Sequence, residues 1–489
     1  MIDFTINEAA LAKAVERARE RNIIIPTFAQ MAHPEGLPDR IKAALADVGL
    51  WDVNPLNLFR ITWKNQAVPA GGGYGGVNYL ELPKALTGCD ARIIALVGKW
   101  FPTGAHKVGA AFGCLVPRLV TGQFDPTTQK AVWPSTGNYC RGGAYDSALL
   151  GCESIAILPE EMSQERFEWL DKVAGEVIKT PGSESNVKEI FDKCWELRNS
   201  GQDLVIFNQF DELGNYLWHH EITGRAIVEV LKQELGPDDR YHGVVSATGS
   251  GGTIACGDYL KKLYPASKVV ASEALQCPTL LNNGFGAHRI EGIGDKHVPW
   301  IHNVRNTDMI VAIDDEAPMS LIRLFNEPAG HTFLKDEVGI DANLVDALDL
   351  LGISGVGNLL AAIKTAKWHE LTEHDVVVTV FTDSMELYQS RLAELTAEHG
   401  ELSERDAAVT YERWLQGTAT DHMEELTHPT RRRVHNLKYY TWVEQQGRTY
   451  EEIQRQWYDP EYWQAVPAAV GQLDELIDEF NGRTGLLKS

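Results

Sequence analysis

The sequence predicts an α/β protein of two open, twisted lobes with helical extensions at its N- and C-terminal ends. Three observations carry that expectation. From about residue 90 onward, short β-branched runs alternate with helical patterns: ARIIALVG, ESIAILP, EVIKTP, DLVIFNQ, YHGVVSATG, SKVVASEAL and finally DVVVTVF. Strands separated by helices pair in parallel, in sheets covered on both faces. At 489 residues the chain is longer than one compact core organises, which asks for two lobes and leaves room to enclose a ligand. Finally, the alternation stops short of both ends.

Before about residue 50 there are two amphipathic stretches, Ala9 to Arg21 and Pro38 to Val48, with apolar positions three and four apart. Beyond about residue 395 come long polar helices rich in aromatics, as in TYERWLQG, HNLKYYTWVEQQG and QWYDPEYW, with no strand in evidence. This extension is expected to pack on the body or on a second subunit; a lid over the site is the alternative.

Charge narrows the partners. The chain has 68 acidic against 45 basic residues, a net charge of −23, so it repels polyanions; neither nucleic acid nor an anionic membrane is expected as a partner. The basic cluster Arg431 to Arg433, with Tyr439, Tyr440 and Trp442 after it, reads as a solvated helix start or as a phosphate and stacking site. The N-terminus lacks the apolar core of a signal peptide, and no window approaches the ~18 apolar residues of a membrane span, so a cytoplasmic location is expected. The cysteines include no Cys-x-x-Cys pair, and His219-His220-Glu221 is not part of a His-Glu-x-x-His pattern, so neither a disulfide framework nor a metal site is expected. Cys140 is the one cysteine to watch, because of the loop it occupies.

Two segments carry chemistry. In HGVVSATGSGGTIACGDYLKKLYP an apolar strand runs into Gly249, Ser250, Gly251, Gly252 and Thr253 and then into a helix. Glycines there let successive N–H groups converge on an oxyanion, and the following helix adds its positive end, so the segment reads as a phosphate cup. A tight strand-to-helix turn is the plainer reading, and Glu273, about twenty residues on, keeps a dinucleotide site open. The second segment, PTGAHKVGAAFG, sets Lys107 at the start of a small-residue helix, where a partly desolvated amine is available to form an imine. Alone, Lys107 reads as a surface lysine.

Together with other segments it does not stand alone. Thr103-Gly104-Ala105-His106-Lys107 resembles, residue for residue, the lysine motif of the tryptophan synthase β chain, a pyridoxal-5′-phosphate (PLP) enzyme of fold type II. Further segments resemble cysteine synthase and cystathionine β-synthase of the same group, in the family's order between residues 100 and 390. The resemblance implies that Ser135, Thr136, Gly137 and Asn138 hold a substrate α-carboxylate, with Asn138 also on the cofactor's 3′-oxygen, and that Gln209, in Asn208-Gln209-Phe210-Asp211, completes that site. It implies that Gly249 to Thr253 bind the phosphate, that His106 and Lys107 contact the cofactor, and that Ser384, in Thr382-Asp383-Ser384, faces the pyridine nitrogen. His288 to Gly294 and Gly352-Ile353-Ser354-Gly355 resemble two more family segments.

The implied fold is the tryptophan synthase β-like one, with a helical extension at 1–50, a large lobe from 51–105 and 213–395, a small mobile lobe from 106–212 and a helical extension at 396–489. The implied reaction is β-elimination or β-replacement on a serine- or cysteine-type amino acid through an aminoacrylate, with Lys107 as Schiff-base tether and α-proton base, in a homodimer. A neutral Ser384 favours expulsion of a β-substituent; Asp383 on the ring instead would reverse that. Alternatives on the same scaffold are a serine or threonine dehydratase, a threonine synthase-like enzyme, a racemase, or a non-catalytic PLP-binding protein. Departures from the pattern are Val108-Gly109 after the lysine, Gly71 to Gly76 in place of a Gly-x-Thr-Pro-Leu entry, and Tyr139-Cys140 after the carboxylate loop, where a phenol and a thiol could contact the β-substituent. The acidic loop of tryptophan synthase is also missing, which disfavours indole chemistry.

Overall fold

The computed structural model describes residues 1–66, 72–184, 186–293 and 296–488. Its strands are β1 Tyr79–Leu82, β2 Arg92–Val97, β3 Lys130–Pro134, β4 Ser154–Pro159, β5 Glu176–Thr180, β6 Leu204–Ile206, β7 Arg240–Ala247, β8 Lys268–Ala274, β9 Met309–Ile313, β10 Asp375–Phe381 and β11 Met423–Glu425. They form a seven-stranded sheet, β1-β2-β10-β7-β8-β9-β11, and a four-stranded one, β5-β4-β3-β6. The smaller sheet is parallel throughout, while in the larger one only the edge strands β1 and β11 run antiparallel to their neighbours.

The β-branched runs are continuous rather than alternating because both faces of the large sheet are buried. Register puts Ile94 beside Val378, Val378 beside Val244 and Val244 beside Val269. These side chains enter one core, while their neighbours Ile93, Val377, Val245 and Val270 point into a second core on the opposite face. The first core also takes Ala131, Trp133, Ala156 and Leu158 from the small sheet, so the two sheets share it.

The expectation of a strandless C-terminal extension is corrected. Met423–Glu425 adds β11 to the free edge of β9, Met423 opposite Val311 and Glu425 opposite Met309. Three residues with two glutamates carry no strand signal of their own, and it is the exposed ladder of β9 that makes them one. The rest of the extension folds back on its own chain. The Trp442 indole donates to Val298 O at 2.8 Å, and the buried Lys438 ammonium donates to Trp300 O, His302 O and Gln456 Oε1 at 2.8, 2.9 and 2.6 Å. The last long helix, Val470–Thr484, packs on the first, Glu8–Glu20, and Asn481 exchanges two hydrogen bonds with Ile25. Arg431 and Arg433 are spent on Asp308 and Glu424, and Arg432 bonds Gln454, so this cluster is a helix stabilised from within the chain. Among the described residues no single helix is long and apolar enough to cross a membrane.

Candidate active site

A cavity where the two sheets meet is lined by Lys107, Ser135, Thr136, Asn138, Tyr139, Glu184, Gln209, Phe210, Gly249, Ser250, Gly292 and Thr382. Its lysine is aimed by a strained turn. Thr103, a β-branched residue, sits in the left-handed region at φ 69°, a conformation costing about 1–3 kcal/mol, just before the helix Lys107–Val120 begins. That helix packs tightly on Leu213–Trp218 because two glycines face each other. A Cβ on Gly113 would lie 2.4 Å from Gly214 O, and one on Gly214 would lie 1.9 Å from Gly113 O. The chain thereby brings Lys107 to the Gly-rich turn after β7.

At that turn hydrogen-bond donors outnumber acceptors. The single hydroxyl oxygen of Ser250 faces the Lys107 ammonium at 3.1 Å, the Asn215 amide at 3.0 Å and the Gly252 N–H at 3.3 Å. A hydroxyl oxygen has two lone pairs, so this crowding suits an anion with several acceptor oxygens. Asn215 also donates to Gln209 O at 3.0 Å and thus ties the cup to the next element of the site.

The second cluster forms around residues 135–138, which join β3 to the helix Asn138–Leu149. Ser135 Oγ accepts from the Gln209 amide at 3.2 Å and from the Gly137 N–H at 3.1 Å. The Asn138 amide nitrogen donates to Asp383 Oδ2 at 2.5 Å, and the Tyr388 hydroxyl donates to the same oxygen at 2.6 Å, while Asn138 Oδ1 is buried without a partner. Asp383 is therefore engaged on one oxygen and wedged against Gly352 with the other, and burial holds its carboxyl above the usual range. Of the segment 382–384, Thr382 lines the cavity, while Ser384 is not one of the lining residues and is buried with an unpartnered Oγ. Ser354 Oγ is likewise buried and unpartnered, against Gly292.

His106 is fully buried, its Nε2 3.3 Å from Thr382 Oγ1 and its ring edge-on to His219 at 4.9 Å. Burial and the Lys107 ammonium both push its pKa well down, so it is a neutral imidazole. Tyr139 lines the cavity, but Cys140 does not. The Cys140 thiol donates to Gly137 O at 2.9 Å, and burial pushes it up to about 12, which leaves an inert packing group. Gly72 to Gly76 do not reach the cavity; they form a bridged turn in which Gly75 N–H donates to Lys64 O at 2.8 Å, and Gly71 lies outside the described residues, as does Gly294. Glu273 accepts from the Leu280 and Leu281 amides, 2.8 Å each, so it caps a short helix, and it is buried away from the residues that line the cavity.

Two side chains at or beside the cavity were not legible in the sequence. Glu184, from the connection after β5, lines the cavity and accepts the Thr136 hydroxyl. Arg166, buried in the helix Gln164–Val173, donates to Thr136 O at 3.1 Å and to the Tyr388 hydroxyl at 2.8 Å and pairs with Glu291 at 2.6 Å. It lies against Gly137 and so supports the loop from beneath.

A family model described as "Pyridoxal-phosphate dependent enzyme" matches residues 73–331. The chain belongs to that family. The "Cysteine synthase" of Staphylococcus aureus is 32% identical over 317 residues, covering 65% of this chain and 93% of that protein. The "Cystathionine beta-synthase" of Saccharomyces cerevisiae is 28% identical over 323 residues, 64% of this chain; the match spans 60% of the yeast protein's length. Among solved structures, the O-acetylserine dependent cystathionine β-synthase from Helicobacter pylori is similar with a TM-score of 0.54 and 25% identity, covering 65% of this chain and 95% of that one. A hydrogen sulfide-producing enzyme of Fusobacterium nucleatum shares the fold at a TM-score of 0.54 and 22% identity, covering 71% of this chain and 95% of that one. The helical flanks of this chain fall largely outside the matched family region, which ends at residue 331 and begins at 73.

Proposed function

We propose that this chain carries PLP on Lys107 and catalyses β-elimination or β-replacement on a serine- or cysteine-type α-amino acid. The observation that carries the reading is the convergence of the Lys107 amine, the donor-rich turn at Ser250 and the Ser135–Asn138 loop on one cavity. The residues suit the cofactor: surplus donors for a phosphate, an amine for an aldehyde, and the unpartnered Ser384 hydroxyl for a ring nitrogen. When bound, the cofactor's ring draws electrons from Cα, which makes the α-proton acidic and a substituent on Cβ expellable. Lys107 holds the cofactor and, once displaced by the substrate amine, takes the α-proton. Ser135 Oγ already accepts the Gly137 N–H and one Gln209 amide hydrogen, so its own O–H, with the N–H groups of Thr136 and Asn138 and the second Gln209 amide hydrogen, is disposed to donate to a carboxylate. A neutral Ser384 against the pyridine nitrogen, with Asp383 Oδ2 held by Asn138 and Tyr388 and its Oδ1 against Gly352, favours β-expulsion.

The small lobe, 106–212, closes on the large lobe, 51–105 and 213–395, over the bound carboxylate, and the enzyme works as a cytoplasmic homodimer. Names of the relatives, cysteine synthase, cystathionine β-synthase and hydrogen sulfide-producing enzyme, support the reaction class. The test is a panel of β-substituted amino acids, with and without sulfide or a thiol, followed by visible absorbance and product analysis. Keto acid and ammonia without nucleophile mark elimination, and a new amino acid formed only with thiol marks replacement. A protein that stays colourless after reconstitution, or whose spectrum no amino acid alters, overturns the proposal.

The cup gives a second expected result. A Cβ on Gly252 would lie 2.0 Å from Asn215 Oδ1, so Gly252→Ala must displace the side chain that holds Ser250 and Gln209. Affinity for PLP is expected to fall at least about tenfold, or ~1.4 kcal/mol, by equilibrium dialysis.

A further inference from the structure

Glu184 is a carboxyl group in an otherwise neutral or cationic cavity, and its position has a chemical use. It is 2% exposed, it sits between the Thr136 hydroxyl, which donates to Oε1, and the Gly292 rim, and its Oε2 is buried with no hydrogen-bond partner. The charged groups facing it are few. Arg166 Nη1 is 3.9 Å from Oε2 but is claimed by Glu291 at 2.6 Å; Glu291 in turn has Arg391 at 2.6 Å; Lys107 stands across the cavity. Two acids thus share two guanidiniums, and Glu291 takes a close contact from both. Glu184 has only the longer contact to Arg166, so of the two acids it is the one that takes a proton more readily, on Oε2. Burial, partly offset by Arg166, raises it from 4.5 to about 7.

Resting on the reaction class proposed above, we infer that Glu184 is the general acid that protonates a β-hydroxyl leaving group, so that the first substrate is an unactivated β-hydroxy amino acid, L-serine or a close analogue. In the step, the Cα–H bond breaks with its proton passing to Lys107, and its electron pair becomes the second, π, bond between Cα and Cβ. The Cβ–O bond breaks with its pair staying on oxygen. That oxygen takes the proton of Glu184 Oε2 and departs as water. Glu184 is left as a carboxylate, which Arg166 and the Thr136 hydroxyl stabilise, and no outside oxidant or reductant is involved. A halide or ester leaving group needs no such proton, which gives the test its contrast.

Glu184→Gln keeps an acceptor for Thr136 and removes only the acid. The ratio of turnover with L-serine to turnover with β-chloro-L-alanine is expected to fall about 10²-fold or more in the variant at neutral pH. An equal loss with both substrates would mean a supporting role only, and a wild type that consumes β-chloro-L-alanine but not L-serine also overturns the inference while leaving the reaction class intact. Failure of the wild type with every β-substituted amino acid would instead sink the reaction class itself. A readout without turnover uses the unliganded chain. Between about pH 5 and pH 7 the folded protein holds a proton on Glu184 that the unfolded chain has released, so the wild type loses stability as pH rises through that window. Glu184→Gln should lack that part of the slope in denaturant titrations, and identical slopes would contradict a protonated Glu184.

Discussion

Lys107→Ala is expected to lower turnover by 10³-fold or more, and borohydride treatment should no longer fix the cofactor to the chain. The magnitude follows from removing two functions of one amine. As general base it supplies about 10²–10⁴-fold, and as tether it holds the cofactor where the carboxylate loop can present a substrate. The cup should survive, because Ser250 keeps its contacts to Asn215 and the Gly252 amide, so the variant should still bind PLP reversibly. Reduction of the wild type with borohydride, followed by peptide mapping, should find the adduct on the peptide carrying Lys107 and on no other. Activity within tenfold of wild type in Lys107→Ala, or an adduct elsewhere, would dismantle the assignment.

What the sequence discloses and what it hides divide along physical lines. The central strands of the large sheet are legible because parallel strands buried on both faces must be apolar along their whole length, as DVVVTVF is, and β10 is buried at every position. β3, KAVWP, is not, since five residues ending in proline look like a turn until β4 and β6 lie on either side. Lys107 and the glycine turn are legible because backbone geometry demands particular residues in a fixed local order. Glu184 and Arg166 are invisible to such reasoning. They come from connections after β5 and β4, and only the fold sets them beside Thr136. Cys140 shows the opposite error, a reactive residue type next to the carboxylate loop that faces away from the cavity. Adjacency in the chain says nothing about which side of a helix start a side chain takes.

The second large effect is expected on stability. Arg166 is 1% exposed and bonds Thr136 O, the Tyr388 hydroxyl and Glu291, with Glu184 just beyond. Replacing it with methionine fills much of the volume but leaves Thr136 O and the Tyr388 hydroxyl without their donor and Glu291 with Arg391 alone, and at about 1–3 kcal/mol for each buried group left unpaired a loss of about 2–6 kcal/mol is expected. Arg166→Lys should rescue only part, because one ammonium cannot reach Thr136, Tyr388 and Glu291 in the directions the planar guanidinium spans. The cost should depend on pH in a defined sense. Without Arg166 the Glu184 carboxyl, already raised to about 7, is held protonated to still higher pH in the folded state. The folded variant then binds a proton that the unfolded chain does not, so its stability falls as pH rises, and the deficit against wild type is smaller at pH 5 than at pH 8. Denaturant titrations at both values check this, and a pH-independent deficit would show that Arg166 acts by packing and not by charge. Glu291 keeps Arg391 in that variant, so combining Arg166→Met with Glu291→Gln in a double-mutant cycle measures how much of the loss runs through the Arg166–Glu291 pair.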